Sequence, residues 1–391
     1  METIDKAGAK TSYSYNTVGW LLSVTDTLGN STSFTYDACG RQLSSSDSLG
    51  LLGSNTYDNA GRLIRTVSPA LSYYDGSSLT QTTTYNYNNA NRLTSVIDPA
   101  GKTTSYSYDD AGRLKSTSYP DGKTSSCTYD ALNMTSSLDK SGHSFSYSYD
   151  DLNRLTQMTA SDQTLTCSYE ANGLLKTRGD AQGTTSYSYD DNGRLTQMQS
   201  PQGTISYGYD YAGMVTTATY PQGTVKYTYD SEGRLSNITR PDNSWLGISY
   251  DSGDRVSGVA HYAASYFLWT RYSYDDLSRV TRSYKYYYGP TLDLSYSYDA
   301  RSNVTSKTTT TASGTVTCTY SYDPLGHLAT SSQNGSLTRF VYDALGNRSK
   351  MNTTSGTSSY SYDANSGRLL TSAMSTPRPA TPPSATTTTA T

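Results

Sequence analysis

The residues best placed for acid–base chemistry in this sequence are an Asp and an Arg four positions apart, as in Asp58 and Arg62, Asp109 and Arg113, Asp190 and Arg194, and Asp230 and Arg234. A carboxylate beside a guanidinium can move a proton or hold an anion. An active site is asymmetric and occurs once, whereas this pair recurs along the chain, and no copy stands out as an active constellation. The pattern therefore predicts an ion pair across a turn, with no catalytic residue. His143, His261 and His327 stand apart from one another and match no metal or catalytic spacing. Cys39, Cys127, Cys167 and Cys318 have no CxxC or His partner, and read as small hydrophobes, not as disulfides or ligands. Glycines that follow turns lack the strand-to-helix context of a phosphate loop. No cofactor and no metal is expected.

What positions these residues is a repeat. Anchored on the Tyr before the acidic or amide residue, 17 copies run from Tyr15 to Tyr362, mostly 20 or 21 residues apart. One interval is 30 residues, Tyr57 to Tyr87, and three are 24, between Tyr250 and Tyr322. Two positions before the anchor stands Tyr in 11 copies, including Tyr106, Tyr187 and Tyr227, with Phe34, Phe340, Cys127, Cys167, Ile248 or Asn55 in the others. The intervening residues are mostly Ser or Thr. Alternation of aromatics with small hydroxyls marks a strand with both Tyr on one face.

Four residues after the anchor comes Gly in ten copies, such as Gly61, Gly112, Gly193 and Gly233, or Asn at Asn91, Asn133 and Asn153. Both residue types tolerate the left-handed region, so Tyr-Asp-x-x-Gly reads as strand end, tight turn and reversal. Arg-Leu then opens a second strand at Leu63, Leu114, Leu195 and Leu235, which ends in turns such as Asp98-Pro99-Ala100-Gly101 and Pro120-Asp121-Gly122. Each unit is one antiparallel hairpin. The fold class is all-β, a stack of hairpins forming a long curved or spiralling strip. At ~4.8 Å per strand, about 34 strands span roughly 160 Å, about 23 Å tall, or on the order of 50 Å across if bent into one circle. That geometry gives a ring or an open helical turn.

Composition agrees. The chain has 391 residues with 30 basic and 33 acidic side chains, and its 39 Tyr make up almost a third of the 34% that is hydrophobic. Near-neutral charge without a Lys/Arg run argues against nucleic acid or an anionic membrane as a partner. No stretch has the length and apolarity of a membrane span, so no membrane insertion is expected, and Met1 to Lys10 lacks the apolar core of a signal peptide. A period that continues from end to end makes residues 1–370 one body, and the Ser/Thr/Pro-rich segment 371–391 reads as a disordered tail. Ile4 to Tyr15 aligns without a gap on Ile97 to Tyr108, so the chain starts inside a repeat, and the natural polypeptide is expected to be longer. The 30-residue interval predicts a lengthened hairpin or an extra loop around Pro69 to Gly76. Tyr262, Tyr266 and Trp269, with Phe267 and Tyr286, Tyr287 and Tyr288 beyond, offer an exposed recognition patch, and longer strands packing on one another explain the same residues.

Tyr-Asp-x-x-Gly-Arg-Leu at a spacing of about 20, as at Tyr57 to Leu63, Tyr108 to Leu114, Tyr189 to Leu195 and Tyr229 to Leu235, closely resembles the Rhs or YD repeat. The resemblance implies a partial YD-repeat shell like those of bacterial Rhs and wall-associated polymorphic toxins, insecticidal toxin complexes and animal teneurins. It implies a non-enzymatic wall that encloses or presents a toxin domain for delivery to other cells, with that cargo or further shell segments as partners and a secreted or cell-surface location. Asp323-Pro324-Leu325-Gly326 is an ordinary repeat turn, so the family's self-cleavage is not carried over to any residue. The alternative is a cell-surface adhesion protein whose Tyr rings contact glycans or another cell's protein.

Overall fold

The computed structural model describes residues 1–264, 266–287, 290–363 and 367–375. Within them 35 strands form one antiparallel sheet, from Glu2–Ile4 at one edge to Leu369–Ser375 at the other. Every strand pairs with its neighbours in sequence, except that Leu63–Val67 pairs with Thr82–Tyr87 across the insertion. The hairpin expected for each repeat is present, with half-buried Tyr106 and Tyr108 alternating with exposed Ser107. The small residues of the opposite face meet across the strands, as where Ser107 Oγ lies 2.6 Å from Ser116 Oγ.

Each hairpin carries a β-bulge at its anchor. Ser107 faces Ser116, but the next residue, Tyr108, faces Leu114, leaving Lys115 unmatched. A bulge at the same place in every hairpin adds local twist, which repeated along a strip gives steady curvature. The three 24-residue intervals lengthen strands and leave the connectivity unchanged: Tyr266–Tyr274, Pro290–Tyr298 and Gly314–Tyr322 have nine residues each, against six in Thr103–Tyr108.

The curvature closes on itself as a spiral. Ala7, in the turn between the first two strands, abuts Gly253, where an added Cβ would lie 2.6 Å from Ala7 Cβ. Asp47, which ends the fifth strand at its turn into the sixth, pairs with Arg301. In the order of the sheet those contacts join the first-to-second turn with the twenty-fourth-to-twenty-fifth, and the fifth-to-sixth with the twenty-eighth-to-twenty-ninth, so one revolution takes 23 strands. At ~4.8 Å per strand that is a circumference of about 110 Å and a diameter of about 35 Å, narrower than a single closed circle because the ends overlap. An odd number of strands places the turns between repeats on one revolution against the Tyr-Asp turns of the next.

The insertion forms its own two-stranded hairpin, Leu71–Ser72 with Ser78–Leu79, standing outside the main sheet. It lies across the seam: Asp75 pairs with Lys350 at 2.8 Å, and Arg339 sits over the Tyr74 ring. Leu71 is wholly buried, and with Ala218, Phe340 and Val341 it completes the buried hydrophobic side chains among the described residues. So short a core is the mark of a one-layer wall. The accessible surface is 23611 Å², against about 15,000 Å² expected of a compact protein of this mass.

Two expectations need correction. The last strand continues to Ser375, with Thr371 paired to Ser361 and Ser375 to Thr357, so the array passes the boundary at 370; residues 376–391 lie outside the described ones. Asn133 does not take the left-handed conformation of Asn91 and Asn153. Its turn is one residue shorter, with Tyr129 facing Met134 directly, so Asn133 leads into the strand.

Because Leu71 is the anchor of the inserted hairpin, Leu71→Ala should leave a cavity that costs about 2–5 kcal/mol locally. Amide hydrogen exchange should quicken over residues 68–81 while strands 63–67 and 82–87 keep their protection; equal loss in all three segments would contradict an independent hairpin.

Candidate functional site

The recurring residues meet along the rim formed by the Tyr-Asp turns. At Asp109 the backbone N–H and carbonyl close the turn with Arg113 and Gly112, and the carboxylate accepts the Arg113 amide at 2.8 Å and its Nε at 2.8 Å. Asp58 with Arg62, Asp190 with Arg194 and Asp230 with Arg234 repeat this geometry. The ion pair expected across the turn is thus formed within each of these four signature copies.

The pair also reaches the next repeat. The Arg113 guanidinium lies 4.4 Å from the centre of the Tyr129 ring and donates through Nη1 to the Asp130 carbonyl at 2.7 Å. Arg62 does the same to Tyr87 and Asn88, and Arg194 to Tyr209 and Asp210. The anchor hydroxyl points the other way, back along the strip: Tyr108 donates to the Leu93 carbonyl at 2.8 Å, Tyr189 to Leu175 and Tyr229 to Val215. Arg stacking forward and Tyr bonding backward make a ladder that ties each of these repeats to its neighbours, interrupted where Trp20, Leu174 and Met214 take the Arg position. At Gly112, with φ of 87°, a Cβ would lie 2.4 Å from Arg92 Nη2, so glycine serves both the turn and the close approach of the neighbouring guanidinium.

The ladder changes toward the end of the array. In the three consecutive repeats that follow Tyr298, Tyr322 and Tyr342 the Arg position is occupied by Asn303, His327 and Asn347. Each keeps the bond to its own Asp, as His327 Nδ1 does to Asp323 at 2.9 Å. His327 also stacks on Tyr342, with ring centres 4.8 Å apart. Tyr73 from the inserted hairpin is pushed up to about 12 by burial, with the nearby Asp323 charge adding to it.

The three candidate binding aromatics do not form one patch. Strand register places Trp245, Tyr262, Phe267 and Trp269 on the hydroxyl face, where Trp245 and Tyr262 stack at 5.8 Å and Arg271 covers Trp269. Tyr266 points to the opposite face with Leu268 and Tyr272, its hydroxyl 3.2 Å from His261 Nδ1, and borders a cavity of about 450 Å³ with Leu268, Lys285, Tyr287 and Leu292. Alternation along the strand separates residues 266 and 269, a consequence readable from their odd spacing. Tyr288 lies outside the described residues. The four cysteines are free, Cys39 exposed and the other three half-buried. Among the described residues no group of His, Cys, Asp and Glu has the geometry to hold a metal ion.

A spiral wall one sheet thick, with its repeated side chains spent on holding repeat to repeat, defines a shell-type structural repeat protein. Two family profiles match the chain: RHS Repeat over residues 15–52, 74–103, 87–124 and 322–358, and Teneurin YD-shell over residues 141–261. The chain belongs to the Rhs/YD-repeat family. No curated protein matches it in sequence. In structure it is similar to the TcdB2-TccC3 complex, with TM-score 0.78 and 16% identity, covering 93% of this chain and 23% of that one. The Tc holotoxin pore of Photorhabdus luminescens gives TM-score 0.78, 16% identity, and coverage of 93% and 22%. The chain therefore spans less than a quarter of the length of these proteins.

The ladder has a pH signature. In Asp58, Asp109, Asp150, Asp190 and Asp230 the hydrogen bond from the Arg backbone amide, opposed by desolvation and aided by the guanidinium, holds the carboxyl below its ordinary 3.8. A lowered folded value means the stabilisation is complete above 3.8 and is lost as pH falls through the folded value. Far-ultraviolet circular dichroism followed from pH 6 to 2 should show stability flat above the carboxylate range and falling steeply below it; a decline centred near pH 6 would point to histidine instead.

Proposed function

We propose that this chain is a non-enzymatic segment of a shell wall that encloses or presents a toxin domain for delivery to other cells, acting outside the cell that makes it. The observation that carries this reading is the spiral itself. A single sheet curled to a diameter of about 35 Å supports space on its concave side without filling it. The Asp and Arg side chains that resemble acid–base groups are engaged in turn and ladder bonds in copy after copy, which supports a structural role for them. The likeness to TcdB2-TccC3 and to the Tc holotoxin pore supports a toxin cargo or further shell segments as partners.

The test has two parts. Negative-stain electron microscopy of the chain should show a curved outline with a hollow centre, and protease should spare the array; compact solid particles or uniform cleavage would remove the wall. Reading the DNA on both sides of the reading frame then tests the cargo: further repeats with a variable domain support it, whereas unrelated genes on both sides would leave the wall without one.

A second reading, adhesion through glycans, is favoured by one observation. Tyr262, stacked on Trp245, and its cross-strand partner Phe267 are exposed on one face, giving an aromatic cluster open to solvent. On a glycan array Tyr262→Ala should abolish binding and Tyr266→Ala, on the opposite face, should not. No binding by the unaltered protein, or equal loss in both variants, would count against the cluster.

A further inference from the structure

The sheet and the seam are held by different forces. Along the strip each strand is bonded to its neighbour by backbone hydrogen bonds, whereas among the described residues no strand of one revolution pairs with a strand of the other. The seam consists of side-chain contacts: Ala7 abuts Gly253, Arg339 covers Tyr74 of the inserted hairpin, and ion pairs make the rest. Lys6 meets Asp254 at 2.6 Å and Glu232 at 2.8 Å, and both pairs are well exposed. The Asp47 carboxylate receives Arg301 through Nε at 2.5 Å and Nη2 at 2.8 Å, while Arg301 Nη1 donates to the Pro324 carbonyl at 2.6 Å. Asp75 meets Lys350 beside the inserted hairpin.

These contacts are unequal. The Lys6 pairs sit in water, where ion pairs are weak and screened by salt, and Lys350 is itself half exposed beside a less exposed Asp75. The Asp47 and Arg301 side chains are only 10% and 15% exposed, and their geometry is bidentate. Arg301 also grips the following repeat of its own revolution, so it ties the seam to the rigid strip. It stands three residues after its anchor Tyr298, in a repeat whose usual ladder Arg is replaced by Asn303. The guanidinium absent from the ladder position is thus matched by one aimed across the seam.

We propose that Asp47 and Arg301 form a latch, and that the spiral opens at this seam, giving lateral access to its interior while the sheet stays folded. Local opening at a joint of few contacts is separable from global unfolding when the rest of the structure does not depend on it. A hairpin array meets that condition, because each repeat is stabilised by its neighbours along the strip.

The full chain tests this. Asp47→Asn removes the charge with little change of shape. Small-angle scattering should show a larger maximum dimension than the unaltered protein, and trypsin should cut after Arg301 about tenfold faster or more, as expected when a protected site opens locally. Circular dichroism should keep its β signal. The exchanged pair, Asp47→Arg with Arg301→Asp, should bring the maximum dimension back, which a merely misfolded first variant would not allow. An unchanged dimension and cleavage rate in Asp47→Asn would overturn the latch. So would loss of the β signal in step with expansion, because the seam would then be part of the fold and not a joint in it.

Discussion

The structure depends on how one repeat grips the next without a core. With four buried hydrophobic side chains among the described residues, the usual source of stability, apolar area removed from water in a packed interior, is small. What replaces it is the ladder at the rim. Tyr298 shows the arrangement: its hydroxyl bonds the Val280 carbonyl behind at 2.6 Å, and the Arg279 guanidinium of that preceding repeat covers its ring at 4.6 Å. Tyrosine suits this task better than an aliphatic residue, since one side chain supplies apolar area, a π face for the cation and a donor for the carbonyl. That explains why a chain poor in Ile and Phe is rich in Tyr.

Much of this was legible from the sequence. Alternation of Tyr with Ser and Thr gave the strands, and Asp-x-x-Gly gave the turn that the φ of 87° at Gly112 requires. The ion pair of Asp109 with Arg113 follows from a four-residue spacing across such a turn. The bulge at each anchor was less visible, because the extra residue, Lys115 in one copy, lies on the partner strand and leaves no mark on the Tyr-x-Tyr period. Asn133 shows the same limit: its turn is short by one residue, and type alone does not reveal a deletion.

Contacts between revolutions were beyond a repeat-by-repeat reading. Asp47 and Arg301 are separated by 254 residues, and nothing local ties them together. Their meeting depends on accumulated curvature, a property of the whole strip. The aromatics divide for a local reason, because strand alternation sends Tyr266 and Trp269 to different faces.

In an array of this kind, information resides in departures from the consensus. A residue that repeats is explained by the neighbour it holds, and its recurrence argues against a unique chemical role. Some positions that break the pattern mark where the strip meets something other than its next repeat. Arg301, in a repeat whose ladder Arg is replaced by Asn303, reaches the other revolution; the 30-residue interval becomes the hairpin that lies across the seam; the lengthened strands carry aromatics on a hydroxyl face. Function in such a wall follows from where it touches itself and where it widens, and those places were written into the sequence as irregularities before the geometry gave them a meaning.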